Sequence, residues 1–246
     1  MIDRLNRVAG YYRDQIEVKG FALRHSVDFA ELERITPSLL LDKDDKPAAV
    51  TPHFSTAQNT FFWSQAFWVG IWKDEECVGT VACKRQELGR ENLASYSRRY
   101  WRQTYQPGSD VEVDLAQDQK RYIEQMTGTL VYCGEYRIHS DYQKTGLGVL
   151  LADYIKPTTW LYWPDVDHFY IYMEKPDVRR GLLAAIGLEH QIENVLRWNS
   201  CPSQAQPDYY FAAIAQAGFQ DWLDDHFRAQ GALGPKSGKS GGSVWG

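Results

Sequence analysis

The sequence predicts an α/β fold with a central sheet and helices packed against it, and three observations carry that expectation. Two apolar runs, 61–72 and 77–84, flank the polar turn Lys73-Asp74-Glu75-Glu76 and read as an antiparallel hairpin. A strand at 129–138 leads through a glycine-bearing loop into Leu147, Leu150, Leu151, Tyr154 and Ile155. These residues recur at i, i+3, i+4, i+7 and i+8, one apolar face of a helix. Further strand-like runs follow at 167–173, 192–198 and 209–215.

The remaining elements fit around that frame. Residues 20–28 read as a strand entering a helix near 29–41, with Asp28 as N-cap and Pro37 as an interruption. The polar stretch 42–60, with two prolines, reads as a surface connection. From Arg85 the chain turns charged and aromatic, which predicts two helices divided near Pro107-Gly108. Asp114 and Gln117 would box the start of the second. Pro157 lacks the amide donor a helix needs and is expected to end the helix after the loop. A short helix starts near Pro176 and closes at Gly187. A last helix carries Phe219, Trp222, Leu223 and Phe227. Residues 1–230 are expected to form one domain with an insertion at about 85–127, followed by a flexible Gly/Ser-rich tail, 231–246.

Composition narrows the function classes. With 43% apolar residues the chain can bury a full core. A net charge of −5 argues against a dedicated nucleic-acid binder, whose domain is normally basic. The four cysteines form no CxxC pair and share no ligand spacing with the six histidines, so no metal site is expected. The opening MIDRLNRVAGYYRDQ lacks a signal-peptide core, and no run approaches the ~18 apolar residues of a membrane span. A soluble cytoplasmic protein with no membrane partner is expected.

The chemistry-bearing motif is Tyr136-Arg137-Ile138-His139-Ser140-Asp141-Tyr142-Gln143-Lys144-Thr145-Gly146-Leu147-Gly148. A strand delivers the backbone to a turn whose glycines permit close approach. The helix that follows then aims its unpaired N–H groups and positive dipole end at the same space. Such geometry binds phosphate, and Lys144 adds a mobile positive charge.

The motif resembles that of the GNAT superfamily of acyl-CoA-dependent N-acyltransferases, whose signature is Gln/Arg-x-x-Gly-x-Gly/Ala after an aliphatic strand residue and an aromatic. Ile138, Tyr142, Gln143, Gly146 and Gly148 stand at those places, and the resemblance spans about 128–190. It implies a mixed, mostly antiparallel sheet flanked by helices and splayed between its fourth and fifth strands, with the helical insertion between strands 3 and 4. It also implies acetyl-CoA as co-substrate. The amides of Lys144, Thr145, Gly146, Leu147 and Gly148 would hold the CoA pyrophosphate behind Gln143, and the Ile138 backbone would pair with the pantetheine arm. Two positions depart from the pattern. Pro176 stands where relatives often carry Asn, and Leu183 stands where they often carry the Tyr that protonates the leaving thiolate.

N-acylation needs a neutral amine, so a base or water must take its proton. Glu135 is the first candidate base, and Tyr172 on the fifth strand is the candidate thiolate donor. Tyr170, His139 and His168 rank below them as packing or strand-end residues. Arg98, Arg99 and Arg102 with Tyr96, Tyr100 and Trp101 read as an amphipathic helix with a solvated face. Residues Gly234–Ser240 mimic a P-loop, but their spacing is short and no strand precedes them, so no nucleotide site is assigned. The expected activity is acetyl transfer to the primary amine of an acceptor the sequence does not identify. Two alternatives are a non-catalytic CoA-binding module and an acyl-carrier-dependent N-acyl amino acid synthase. The sequence admits a homodimer without determining the oligomeric state.

Overall fold

The computed structural model describes the chain apart from residues 40–48, 106–111, 116–119, 180, 194, 202–204, 206–207 and 233–246. Its centre is a seven-stranded sheet. In spatial order this runs β1 (Ala22–Ser26), β2 (Ala66–Lys73), β3 (Glu76–Gly89), β5 (Gly128–Ile138), β6 (His168–Met173), β9 (Tyr210–Ala215) and β7 (His190–Ile192). Every neighbouring pair is antiparallel except β5 and β6, which run parallel and are joined by the crossover helix α5 (Leu147–Tyr162). The mixed, mostly antiparallel sheet expected from the sequence is therefore present.

One face of the sheet is covered by α1 (Ile2–Val18), α5 and α8 (Gln216–Ala232), which bury Val69, Val81, Val131, Phe169 and Ile171 beneath them. The other face lies under α2 (Phe29–Leu39) and the insertion, and its buried side chains are largely aromatic. Strand alternation divides residues between the two layers. On β6, Phe169, Ile171 and Met173 join the first core, while Tyr170 and Tyr172 join the second.

Several expectations need correction. The sequence reading left α1 out, although Leu5, Val8, Ala9, Tyr12 and Ile16 form its buried stripe. Neither Pro157 nor Pro37 ends its helix. Around Pro157 the Thr158 and Thr159 hydroxyls donate to the Tyr154 and Ile155 carbonyls, and Trp160 is wholly buried against Phe219. Tertiary burial thus holds a turn that proline alone would open. Likewise Thr36 Oγ1 donates to the Leu32 carbonyl beside Pro37.

β2 starts at Ala66 rather than residue 61, and Phe62 and Trp63 stand exposed in the preceding turn. β3 runs to Gly89 because its far end pairs with the start of β5. The insertion holds α3 (Leu93–Tyr105) and α4 (Lys120–Gln125), but a short strand, β4 (Val113–Leu115), lies between them. Asp114 is in that strand, not at a helix start, and accepts from Arg98 Nε at 2.7 Å. The run 192–198 divides between two sheets: Ile192 ends β7, and β8 (Leu196–Trp198) pairs with β4. The expected 176–187 helix is two short ones, α6 (Lys175–Arg179) and α7 (Leu182–Ile186), separated at Gly181, whose φ is +85°. α8 extends to Ala232, and the rest of the expected tail, with the P-loop-like run, lies outside the described residues.

Candidate active site

The site begins with a defect in the sheet. Between the pairs Thr80↔Arg137 and Ala82↔Gly134, β5 uses one residue more than β3, a bulge with Glu135 at φ +48°. Thr80 Oγ1 donates to the Glu135 carbonyl at 2.9 Å and fixes the distortion. A bulge bends its strand and increases its twist. The parallel ladder from β5 to β6 correspondingly stops at Cys133↔Ile171, although β5 continues to Ile138 and β6 to Met173. The β5 edge over residues 134–138 therefore faces a wedge with no ladder partner among the described residues.

The loop lies at the open end of that wedge. A single 3₁₀ turn, Ser140–Tyr142, is capped by His139, whose Nδ1 accepts from the Asp141 amide. Phe21 packs edge-on against Tyr142, and Lys73 sits 5.5 Å from the same ring. Gln143 Nε2 donates to the Ile138 carbonyl at 3.2 Å, which ties the loop back to the strand. Lys144 (φ +66°) and Gly146 (φ +85°) then turn the chain in the left-handed region, and Gly146 caps α5. Thr145 Oγ1 donates to the Tyr142 carbonyl at 2.6 Å, and Lys19, just past α1, donates to the Thr145 carbonyl at 3.3 Å. The amides of Gly146, Gly148 and Val149 find no acceptor among the described residues, so three donors point outward at the positive end of a helix.

Space at the loop fits a phosphate-bearing ligand. A Cβ at Gly146 would meet no atom within 4 Å. At Gly148 it would come within 3.2 Å of the Tyr136 hydroxyl, which itself donates to the Gly148 carbonyl. Gly148 thus serves close packing of helix on strand, and Gly146 leaves the approach clear.

Beside the bulge, Glu135 holds a neighbouring segment in place. Its side chain is fully buried. Oε1 accepts from the Thr51 amide (2.8 Å) and hydroxyl (2.6 Å), and Oε2 accepts from Arg137 Nε (3.1 Å) and a terminal guanidinium nitrogen (3.0 Å). Arg137 also donates to the Ala49 carbonyl at 2.9 Å. Four bonds occupy the lone pairs a carboxylate has, so a further proton is accepted only by displacing one of them.

Two residues beyond Thr51, His53 enters the aromatic layer. It is 2% exposed, its ring lies 4.6–5.3 Å from those of Trp101, Tyr132 and Tyr100, and neither ring nitrogen has a hydrogen-bond partner. Burial, and secondarily the charge of Lys84, push its pKa down to about 3. Since the folded value lies below the unfolded 6.5, folding favours the neutral ring. The stability this contributes is whole above pH 6.5 and declines as pH falls toward 3, by ~1.4 kcal/mol per pH unit. Urea titrations between pH 7 and 4.5 should therefore show a shallower acid loss for His53→Phe than for the parent. Identical slopes would remove His53 from the acid response.

The structure places Tyr172 in the same aromatic layer, 5.0 Å from Trp101, with its hydroxyl 3.4 Å from Ser97 Oγ. Burial pushes its pKa up to about 12, so it keeps its proton at neutral pH. It follows Ile171, the last residue of β6 paired with β5. Leu183 is buried in the core on the opposite face. Arg98 and Arg99 are ion-paired to Asp114 and Glu91, while Trp101 from the same helix faces the core. The loop residues 143–148 and Ile138 lie together. Sequence reading missed Lys19, Thr51, His53 and Lys84, and no local pattern marks them.

No family model matches the chain, and no curated protein matches it. Among solved structures it is similar to Arabidopsis thaliana NAA60 in complex with acetyl-CoA, at 17% identity and a TM-score of 0.45, covering 80% of this chain and 99% of that one. It is also similar to an acetyltransferase of the GNAT family from Streptococcus pneumoniae, at 11% identity and a TM-score of 0.42, covering 79% and 99%. A third likeness is to an aminoglycoside N(6′)acetyltransferase from Legionella pneumophila, at 11% identity and a TM-score of 0.44, covering 86% and 96%.

Proposed function

We propose that residues 1–230 form an acyl-CoA-dependent N-acetyltransferase unit that moves an acetyl group from acetyl-CoA to a primary amine. The observation that carries this reading is the wedge between β5 and β6 opening directly onto the unpaired amides at the start of α5. An extended thioester arm can pair with the free edge at 134–138, Ile138 included, while its pyrophosphate meets the loop at residues 144–148. The signature in the sequence and the strand order support the same assignment.

In this reading the chain acts chiefly by holding two reactants in register. The amine nitrogen attacks the thioester carbonyl, the C–N bond forms and the C–S bond breaks. The amine gives up a proton and the sulfur gains one. We assign the sulfur's proton donor to Tyr172, whose hydroxyl stays protonated and whose backbone follows the last β6 residue paired with β5. Glu135, the base candidate, serves here as a positioning residue that clamps Thr51 and Arg137, with water taking the amine's proton. A second reading, CoA binding without turnover, is favoured by the burial of Leu183, which leaves no hydroxyl at that position.

The test is release of free CoA from acetyl-CoA over a panel of primary amines. Release well above the hydrolysis background with at least one amine is expected. Tight CoA binding with no turnover on any amine would select the second reading instead.

A further inference from the structure

The wedge between β5 and β6 narrows to a point, and what closes that point decides how far a bound thioester can reach. The free edge runs from Gly134 to Ile138, about 13 Å at the ordinary rise of a strand. With the pyrophosphate at the loop, an arm paired along this edge brings its thioester end to Gly134. In the plane of the sheet the next step is closed, because the pair Cys133↔Ile171 joins the two strands. A longer acyl chain can therefore continue only above or below the sheet.

On the face carrying α5, Cys133, Ile171 and Met173 are buried in one core with Leu147 and Leu151 of that helix. On the other face Gly134 has no side chain, and Phe54 occupies the place of one. A Cβ at Gly134 would come within 2.7 Å of the Phe54 ring and 3.1 Å of the Tyr132 hydroxyl. Phe54 is wholly buried, stacked on Phe29 at 5.9 Å and on Tyr132 at 5.5 Å. Past Tyr132, the rings of Tyr100, Trp101, Tyr170 and Tyr172 enclose no space that would admit a water molecule.

Phe54 is also held from the bulge. Glu135, the chain neighbour of Gly134, accepts from the Thr51 amide and hydroxyl, and the Phe54 amide donates to the Thr51 carbonyl at 2.9 Å. The carboxylate thus fixes the segment that sets this ring over the glycine. A close-packed interior resists even one added methylene, and the ring moves aside only by giving up its stacks on Phe29 and Tyr132.

We infer that Phe54 sets the length of the acyl group: its ring over Gly134 leaves the end of the wedge to a two-carbon acyl and excludes chains of four carbons or more. This rests on the acyltransferase reading above and names the residue that selects the donor. The further carbons of a longer chain would have to enter where the ring now lies. Shortening residue 54 turns the same place into an apolar pocket lined by Phe29, Phe61 and Tyr132.

The experiment runs acetyl-, butyryl- and hexanoyl-CoA on the full chain, with the primary amine that is turned over fastest from acetyl-CoA. Expected is a kcat/KM about tenfold lower or more for butyryl-CoA than for acetyl-CoA, and lower again for hexanoyl-CoA, the scale on which a packed apolar site discriminates methylenes. In Phe54→Ala the hexanoyl-to-acetyl ratio should rise about tenfold, and in Phe54→Leu by less. Affinity for free CoA, read in parallel, shows that each variant folds, and Phe54→Leu decides alone if Phe54→Ala does not. A parent that uses hexanoyl-CoA as well as acetyl-CoA, or a ratio that neither substitution moves, overturns the inference and leaves acyl transfer standing. Should no amine be turned over, calorimetry with the same acyl-CoAs decides. Weaker binding of hexanoyl-CoA than of acetyl-CoA, regained in Phe54→Ala, supports the length limit while the acyltransferase reading fails. Equal affinities in the parent, or no binding, overturn both.

Discussion

Gly146→Val lowers the affinity for CoA by about a hundredfold, ~2.7 kcal/mol at 25 °C. Gly146 holds φ +85° and ψ −4°, a conformation that a β-branched residue adopts only with strain of ~1–3 kcal/mol. A Cβ there meets nothing within 4 Å of the protein, so the new side chain projects into the open space before the unpaired amides. The fold therefore loses only the strain, while the ligand loses its approach. Thermal melting reads the first effect and calorimetric titration with CoA the second. Affinity within twofold of the parent would sink the assignment of the loop.

Glu135→Ala destabilises the chain by ~3–5 kcal/mol, the range for breaking a buried ion pair. Arg137, whose side chain is 16% exposed, would lose its carboxylate, and the Thr51 amide and hydroxyl would lose their acceptor. The segment carrying His53 would be released from the bulge. Denaturant unfolding measures the loss. Glu135→Gln separates positioning from proton transfer, because it keeps one oxygen for Thr51 and removes the charge facing Arg137. With Glu135 as a positioning residue, the rate falls in step with stability and the pH–rate profile keeps its shape. Disappearance of an acid limb from that profile would make Glu135 the base.

The two substitutions probe different kinds of information. The loop is contiguous: strand, turn and helix follow one another within 138–148, and a left-handed glycine, an N-terminal dipole and an apolar stripe are all local properties. Gln143 bonds the carbonyl of Ile138 only five residues away. For the same reason the hairpin of β2 and β3 was legible, although β3 ran further once pairing with β5 set its register. Pro157 shows the opposite case. Its local preference is to end a helix, yet burial of Trp160 and bonds from two threonine hydroxyls carry the helix on to Tyr162.

The sequence by itself determined the α/β class, the glycine-bearing loop and the crossover helix, because each depends on residues a few positions apart. Only the tertiary structure decided that the wedge meets an aromatic layer. That layer draws on segments from Phe29 to Phe211, brought together by long-range pairing. It also brought the Glu135 carboxylate against Thr51, 84 residues away, a contact no spacing encodes. Position along the chain specifies what a short segment can form. Which distant segment satisfies a buried charge, or leaves one unsatisfied, is settled only when the core closes.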